Sequence, residues 1–521
     1  MDAVARTDTG RSRALAAVCG VLFLTFLDTT VISVALGDVQ ADLHAGVVQL
    51  QWVLNAYGLV FASLMLTMGT LGDRWGRRRL MVAGIVVFCA GSVLGALAPD
   101  ATTLIAARAV MGLGAAACEP ATLSILRHVY PEPGPRTRAL GVWAAVSGFA
   151  LALGPVIGGV LVGMGSWRDV FWFNLVLGAL LLAAVVRAVP ESADPQRGGL
   201  DLAGFVTGSA FLGCAIFAVM VGETEGLRSP GVLALFGVSG LSLVAFLAAE
   251  SRSRNPMLDL RLLRRPAVGG PLLVAFAIYF GIFSIFFFTA LYLGEVVGDS
   301  GYRIAAEFAV MAAAMVTGSL TAGRWVTRRG ARPAMVTGTL LAAVGLFLTR
   351  SSIVGGHYGA ALALALGLAG AGFGIAVVPV TSVVMGAIPA EHSGMAASAA
   401  NTVRQIGAVA GVAVLGALVN AHLTSDLSGR LGALGVPSGF QSIVIAAIEQ
   451  GTVGGGGDAA ATYGPIVERV IDAAYGAFRS GLSAALAVSA VLMLVATVVA
   501  AVTIEPLEHQ APAPGAGTAR P

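Results

Sequence analysis

Fourteen stretches of this 521-residue chain stay apolar for about twenty residues, the length of helix that crosses a ~30 Å hydrocarbon core. They read near 14–36, 50–72, 80–98, 102–126, 138–163, 168–189, 200–222, 231–250, 268–294, 303–326, 333–350, 358–386, 396–420 and 475–503. Backbone polar groups in lipid must be satisfied within the segment, and these runs lack the two-residue alternation of a barrel strand. An all-α integral membrane protein with 14 transmembrane helices is therefore predicted. Composition agrees, with 57% hydrophobic residues, 11% charged residues and a mean hydropathy of +0.86.

An even number of spans places both termini on one side. All 31 basic residues are Arg, and with the amino terminus inside, 23 fall on inner segments, 7 on outer ones, and Arg108 lies within a span. This asymmetry predicts cytoplasmic termini. The all-Arg usage, with abundant Ala and Gly, suits a bacterial plasma membrane protein. The missing Lys excludes a P-loop and Schiff-base chemistry. Cys19, Cys89, Cys118 and Cys214 lie in apolar runs without metal-ligand spacing, so neither metal nor other cofactor is expected. His128, His357 and His392 are isolated, and no nucleophile, base and orienting group form a set, so no enzyme and no nucleic-acid partner is expected.

The chain divides into a polar tail (1–13), six spans (14–190), a linker with spans 7 and 8 (191–265), six further spans (266–503) and a Pro- and Ala-rich tail (504–521) expected to be disordered. An outer loop is expected over 421–474, with the glycine run Gly454 to Gly457 inside it. The loop after span 2 carries Gly69, Leu71, Asp73, Arg74, Gly76, Arg77, Arg78 and Arg79. The loop after span 10 carries Gly318, Leu320, Gly323, Arg324, Trp325, Arg328, Arg329 and Arg332. Such an echo suits two repeated halves with a site between them near the midplane, spans 7 and 8 being an inserted pair.

The run Gly69-x-Leu71-x-Asp73-Arg74-x-Gly76-Arg77-Arg78 resembles the signature loop of the major facilitator superfamily. Leu27-Asp28-x-Thr30-Val31-x-x-Val34-Ala35-Leu36 resembles the first-helix motif of the fourteen-helix drug:proton antiporters, with Ser33 and Gly37 where that group commonly has Asn and Pro. Arg108-x-x-Met111-Gly112-x-Gly114 is similar to the fourth-helix motif, with Met111 for the usual Gln. Gly154-Pro155-Val156-Ile157-Gly158-Gly159 is similar to the fifth-helix antiporter motif. Trp167-Arg168-x-x-Phe171-x-x-Asn174 and Asn401-x-x-Arg404-Gln405-x-Gly407 extend the resemblance to span 13. It implies a major facilitator fold of two six-helix bundles plus an inserted helix pair, working by alternating access.

The residues also have their own physical reading. A carboxylate within an apolar span is costly, and ion or proton handling is its default explanation. Asp28 and Arg108 lie at similar depths, ~9–12 Å from the outer ends of spans 1 and 4, so they can pair across the bundle. Opposed effects of burial and the nearby cation suit Asp28 to proton coupling, against the alternative of a static ion pair. Glu119, before Pro120 in span 4, is a candidate to face a substrate cavity or carry a second proton; the alternative is a local bond to the kinked backbone. Met111, Phe283, Phe287 and Asn401 are further cavity candidates. The cluster Phe280, Phe283, Phe286, Phe287 and Phe288 runs nearly round span 9, so part of it is expected to face lipid. Glu307 beside Arg303 reads as an interfacial salt bridge.

Gly69, Asp73, Arg74, Gly76, Arg77 and Arg78 are read as a gating loop, with Asp73 accepting from the amides at a neighbouring helix N-terminus; plain positive-inside anchoring is the alternative. Gly154, Pro155, Gly158 and Gly159 allow close approach and a bend that seals against leak, against ordinary small-residue packing. The resemblance implies proton-coupled export of lipophilic drugs or antibiotics, cationic or polycyclic, by a monomer surrounded by membrane lipid, with antibiotic resistance as a consequence. The few acids in the spans make a polyvalent cation a poor substrate. A transporter of a native metabolite, amino acid or sugar is the alternative, and a receptor or scaffold that kept the fold is a third reading.

Overall fold

The computed structural model describes residues 2–45, 47–193, 202–226, 229–253, 265–299, 301–388, 393–433 and 465–504. Every regular element among them is helical. In chain order these are α1 (Asp2–Val31), α2 (Leu36–Leu43), α3 (Val47–Trp75), α4 (Arg77–Ala96), α5 (Ala101–Val129), α6 (Pro133–Met164), α7 (Asp169–Ala188), α8 (Leu202–Glu225), α9 (Pro230–Arg252), α10 (Pro266–Tyr292), α11 (Gly301–Arg329), α12 (Ala331–Gly355), α13 (Ala360–Ala387), α14 (Ser393–Ala433) and α15 (Pro465–Thr503). Among the described residues, eleven helices are long and apolar enough to cross a bilayer, or twelve if the two arms of α3, bent by 56°, are one span.

The long helices pack by one scheme used twice. In the first half α4 lies on α5 and α7, α3 on α5, and α1 on α5, α6 and α7. In the second half α12 lies on α13 and α15, α11 on α13, and α10 on α13, α14 and α15. The echo between the two Arg-rich loops is thus matched by the helix pairings around them. Helices α8 and α9 pack on each other and touch the rest mainly through α3. Among the candidate spans α9 is the most outward-facing: 17% of its apolar window is buried, against 76% for α10. Leu241, Val244, Leu180 and Leu364 are exposed. Such an apolar exterior suits lipid and would be a liability in water.

The halves meet along α3, α5 and α6 on one side and α11, α13 and α14 on the other. Hydrogen bonds crossing this seam lie at the end that carries the Arg-rich loops. There Arg127 donates to the Ile388 carbonyl at 2.6 Å, and the Thr137 and Ser382 hydroxyls are 3.2 Å apart.

Several sequence expectations change. Residues 421–433 continue α14 and 465–474 begin α15, so the expected outer loop is shorter. Leu427 and Leu431, four residues apart, bury against Ala473, Ala474 and Ala477, an amphipathic contact that a hydropathy window does not register. The centre of that loop, including Gly454 to Gly457, the linker over 254–264, His392 and the tail after 504 lie outside the described residues. Span 1 is straight only to Val31 and continues through a 3₁₀ turn into the short α2. Phe280 and Phe288 are buried because α10 is central, while Phe283 stacks on Tyr279 and Phe286 on Phe308. Arg303 pairs with Asp299 at 3.0 Å rather than with Glu307, which accepts from the Gly359 amide at 3.2 Å. Both acids lie four residues from Arg303, so the tertiary contact of Glu307 with Gly359, not spacing, leaves Asp299 as the partner.

Candidate functional site

The first site lies inside the first half. Asp28 on α1 and Arg108 on α5 form an ion pair at 2.5 Å, with side-chain exposures of 0% and 1%. Burying two charges is favourable only when their remaining bonding capacity is met. The Arg108 Nε donates to the Val53 carbonyl at 3.0 Å, and its guanidinium sits 4.6 Å from the Tyr57 ring centroid. Asn174 on α7 donates from Nδ2 to Asp28 Oδ1 at 2.7 Å. Tyr57 in turn donates its hydroxyl to the Thr25 carbonyl at 3.0 Å, tying α3 to the turn of α1 that precedes the acid. Four helices therefore converge on one carboxylate. The sequence ranks Asp28 and Arg108 by the cost of charge in an apolar run. It marks Asn174 only as part of a motif and carries no signal for Tyr57, which is ordinary at span depth.

The segment of α6 over 154–159 lies against the residues that follow this acid on α1. A side chain at Gly158 would meet the Val31 carbonyl at 2.5 Å, and one at Gly154 would meet the Thr30 Cβ at 2.8 Å. The missing side chains let α6 lie against the outer end of α1, where Thr30 donates to the Leu151 carbonyl at 3.0 Å. Gly159 is half-buried on the same helix. Pro155 falls within the helix, and its side chain is outside the described residues. Just beyond, Asp42 of α2 accepts from the Trp167 indole at 3.0 Å and pairs with Arg168, closing the loop end over this half.

A second buried ionic centre lies on the seam. Glu119 on α5 is 2% exposed, and its Oε2 has no hydrogen-bond partner. The alternative of a side-chain bond to the kinked backbone does not hold for this oxygen: the carbonyl that Pro120 leaves without its amide partner is that of Ala116, and Glu119 Oε2 bonds to no backbone group. Across the seam, Arg404 is 2% exposed and donates to Asn401 Oδ1 at 2.8 Å and to the Thr381 hydroxyl at 2.5 Å. Its guanidinium stands 5.0 Å from the Trp143 ring and 5.6 Å from that of Tyr279. Arg404 was quoted above only as part of a motif; its aromatic partners lie far away in sequence.

Of the remaining cavity candidates, Asn401 belongs to this second centre and Phe283 stacks on its Tyr279. Met111 is fully buried and packs on Gly91 of α4, inside the first half rather than on the seam. The Phe287 side chain is outside the described residues. In the Arg-rich loop, Asp73 Oδ1 accepts from Arg77 at 2.9 Å. The amides at the start of α4, Arg78 and Arg79, donate to Glu191 instead of Asp73, both at 3.2 Å. Gly76 makes the turn between them with φ of 108°, and Gly330 makes the matching turn before α12 with φ of 87°. Gly69 and Arg74 end α3, Arg74 exposed, while the Arg78 guanidinium donates to the Val186 carbonyl.

A helical membrane chain with one packing scheme repeated, buried charges at mid-depth and Arg-rich turns in matching places is built as a secondary transporter. Residues 18–412 match the Major Facilitator Superfamily, and the chain belongs to that family of transporters. It is 32% identical over 428 residues to the multidrug resistance protein Stp of Mycobacterium tuberculosis (strain CDC 1551 / Oshkosh), covering 82% of this chain and 79% of that one. It is 31% identical over 503 residues to the multidrug efflux pump LfrA of Mycolicibacterium smegmatis, covering 95% and 97%. The tetracenomycin C resistance and export protein of Streptomyces glaucescens is 28% identical over 490 residues, covering 94% and 90%. Among solved structures, the human organic anion transporter MFSD10 superposes with a TM-score of 0.62 at 16% identity over 94% of this chain and 99% of that one. The proton:xylose symporter XylE does so with 0.61 at 14% over 94% and 95%. Both likenesses show the fold alone.

Proposed function

We propose that this protein exports lipophilic drugs or antibiotics across a bacterial plasma membrane in exchange for protons, by rocking two six-helix bundles about a central site. The observation that carries the reading is the buried Asp28–Arg108 pair, held by Asn174, in a chain whose relatives are named for multidrug resistance and efflux. A carboxylate so placed exchanges a proton only when its surroundings change, which is what coupling requires. In this reading the chain has fourteen spans, with α8 and α9 inserted between bundles over 14–190 and 266–503. Both termini and the Arg-rich loops are cytoplasmic, and the protein works as a monomer in contact with lipid. Contacts across the seam at the Arg-rich end then mark an outward-facing state. The gating loop of Gly69 to Arg78 holds that end closed, and Gly154, Pro155, Gly158 and Gly159 limit leak.

The test is efflux of a neutral lipophilic dye from cells expressing the wild type or Asp28→Asn, with and without a protonophore. Gradient-driven efflux is expected from the wild type alone, with both proteins present in the membrane. Undiminished efflux by Asp28→Asn, or by the wild type after the gradient is collapsed, overturns the reading.

A further inference from the structure

The geometry points to Glu119 and Trp143 as a binding site for an organic monocation that the protein's own Arg404 guanidinium occupies while the Arg-rich end is closed. The inference rests on the transport reading above and names the chemistry of one of its substrates. Three observations carry it.

First, the centre is divided between the halves. Glu119 and Trp143 belong to α5 and α6, whereas Arg404, Asn401, Thr381 and Tyr279 belong to α14, α13 and α10. Glu119, Trp143 and Arg404 each lie about ten residues from the Arg-rich end of their helices, so they share a layer ~15 Å deep. Trp143 is fixed by its own half, its indole donating to the Thr122 hydroxyl at 3.0 Å.

Second, the interactions differ by direction. The hydrogen bonds of Arg404 to Asn401 and Thr381 stay within the second half. What it offers across the seam is charge: its guanidinium faces the Trp143 ring at 5.0 Å and is within electrostatic range of Glu119. An aromatic face beside a carboxylate is the arrangement that recognises an organic cation, through the ring quadrupole and the opposite charge.

Third, the carboxylate is left under-bonded. Glu119 Oε2 has no partner although the residue is 2% exposed, and Asn401 Nδ2 on the facing side is unpaired as well. When the halves part at the Arg-rich end, Arg404 leaves with its own hydrogen bonds intact. Glu119 and the Trp143 face then stand at the wall of an inward-facing cavity with no cation. A charge stranded at that depth is costly, and an incoming monocation with a planar or aromatic body relieves the cost. Re-closure brings Arg404 back to the same surface, so guanidinium and substrate exclude each other. Export of a cation then follows from its displacement rather than from a separate release step.

The experiment measures equilibrium binding of tetraphenylphosphonium and of the neutral probe N-phenyl-1-naphthylamine to full-length protein in nanodiscs. Glu119→Gln is expected to weaken the phosphonium about tenfold relative to the neutral probe, with Glu119→Asp restoring part of the loss. Trp143→Leu is expected to weaken the phosphonium likewise, and Trp143→Phe to preserve it. Arg404→Leu, which removes the internal competitor, is expected to tighten the phosphonium several-fold. Circular dichroism and a size-exclusion profile matching the wild type certify the fold of each variant. Phosphonium binding that is undetectable in the wild type, or within twofold of it in both Glu119→Gln and Trp143→Leu, overturns the inference. Neither result touches the efflux reading, which is judged by neutral-dye export and Asp28→Asn.

Discussion

Arg108 and Glu119 stand on the same face of α5, about three turns and ~16 Å apart, and each serves a different buried ionic centre. Arg108 closes on Asp28 within the first half, and Glu119 lies within electrostatic range of Arg404 of the other half. Tyr57 lies between them, its ring under the Arg108 guanidinium and within electrostatic range of both acids. The outer centre is thus internal to one rigid half, and the inner one is shared by two halves. A change that opens the seam breaks the second directly and reaches the first only through α5, α3 and their packing.

The Asn174 bond to Asp28 should matter to stability as well as to transport. Asn174→Leu removes a donor to a buried carboxylate and leaves that oxygen unsatisfied, which costs ~1–3 kcal/mol. Chemical denaturation of the detergent-solubilised protein should show a loss of that size. Neutral-dye export should fall while the chain still inserts. A change below about 0.5 kcal/mol would mean that the bond does not hold the acid.

At Gly158 the obstacle is backbone, because an added Cβ lies 2.5 Å from the Val31 carbonyl and no flexible side-chain end can swing away. Gly158→Ala is expected to push α6 off α1 and cost ~1–3 kcal/mol, the usual penalty for overpacking. The displacement falls one turn beyond Asp28, so coupled export should suffer more than expression. Comparing membrane protein level with export rate checks this; loss of both in equal measure would assign the glycine to folding alone.

Much of this was legible in the sequence because lipid makes some features expensive. Long apolar runs, Asp28, Arg108 and the paired Arg-rich loops each stand out against what a bilayer tolerates. Of the fourteen expected spans, eleven or twelve meet the length and hydropathy of a crossing helix among the described residues. Features that cost nothing locally did not stand out. Trp143 and Tyr279 are ordinary residues in apolar spans, and only the fold brings them to Arg404. Arg303 has an acid four residues away on each side, and only the fold, which offers Glu307 the Gly359 amide, leaves Asp299 as its partner. Glu191 follows α7 in an unremarkable polar stretch, yet it takes the amides at the start of α4. The helical ends of α14 and α15 beyond the apolar core are amphipathic rather than hydrophobic, so a hydropathy window ended them early.

The Asp42 clamp should resist acid. Its carboxyl is held below the ordinary value of 3.8, chiefly by the hydrogen bond from Arg168 and then by that from the Trp167 indole. A carboxyl depressed on folding contributes above its unfolded pKa and loses that contribution as pH falls through the folded one. The clamp is therefore expected to hold from neutral pH down to about 4 and to release only below that. Amide exchange over α2, corrected for intrinsic rates, should show constant protection across that window in the wild type and reduced protection throughout in Arg168→Gln. Protection lost near pH 6 would contradict the assignment.

Gly76 and Gly330 offer a paired test of the repeated architecture. Both join an Arg-bearing turn to the next helix with positive φ, 108° and 87°, and extended ψ, a conformation that costs an L residue ~1–3 kcal/mol. Alanine at either should carry that strain. At Gly76 the new Cβ would also lie 2.8 Å from the Glu191 carboxyl carbon, displacing the group that caps α4 at Arg78 and Arg79. Loss of such a cap adds ~1 kcal/mol. Gly76→Ala is therefore expected to destabilise more than Gly330→Ala. In a Glu191→Ala background, already uncapped, the two should converge. Denaturation of the four variants in one detergent gives the comparison, and equal penalties at the two glycines in the native background would show that Glu191 contributes nothing to the turn.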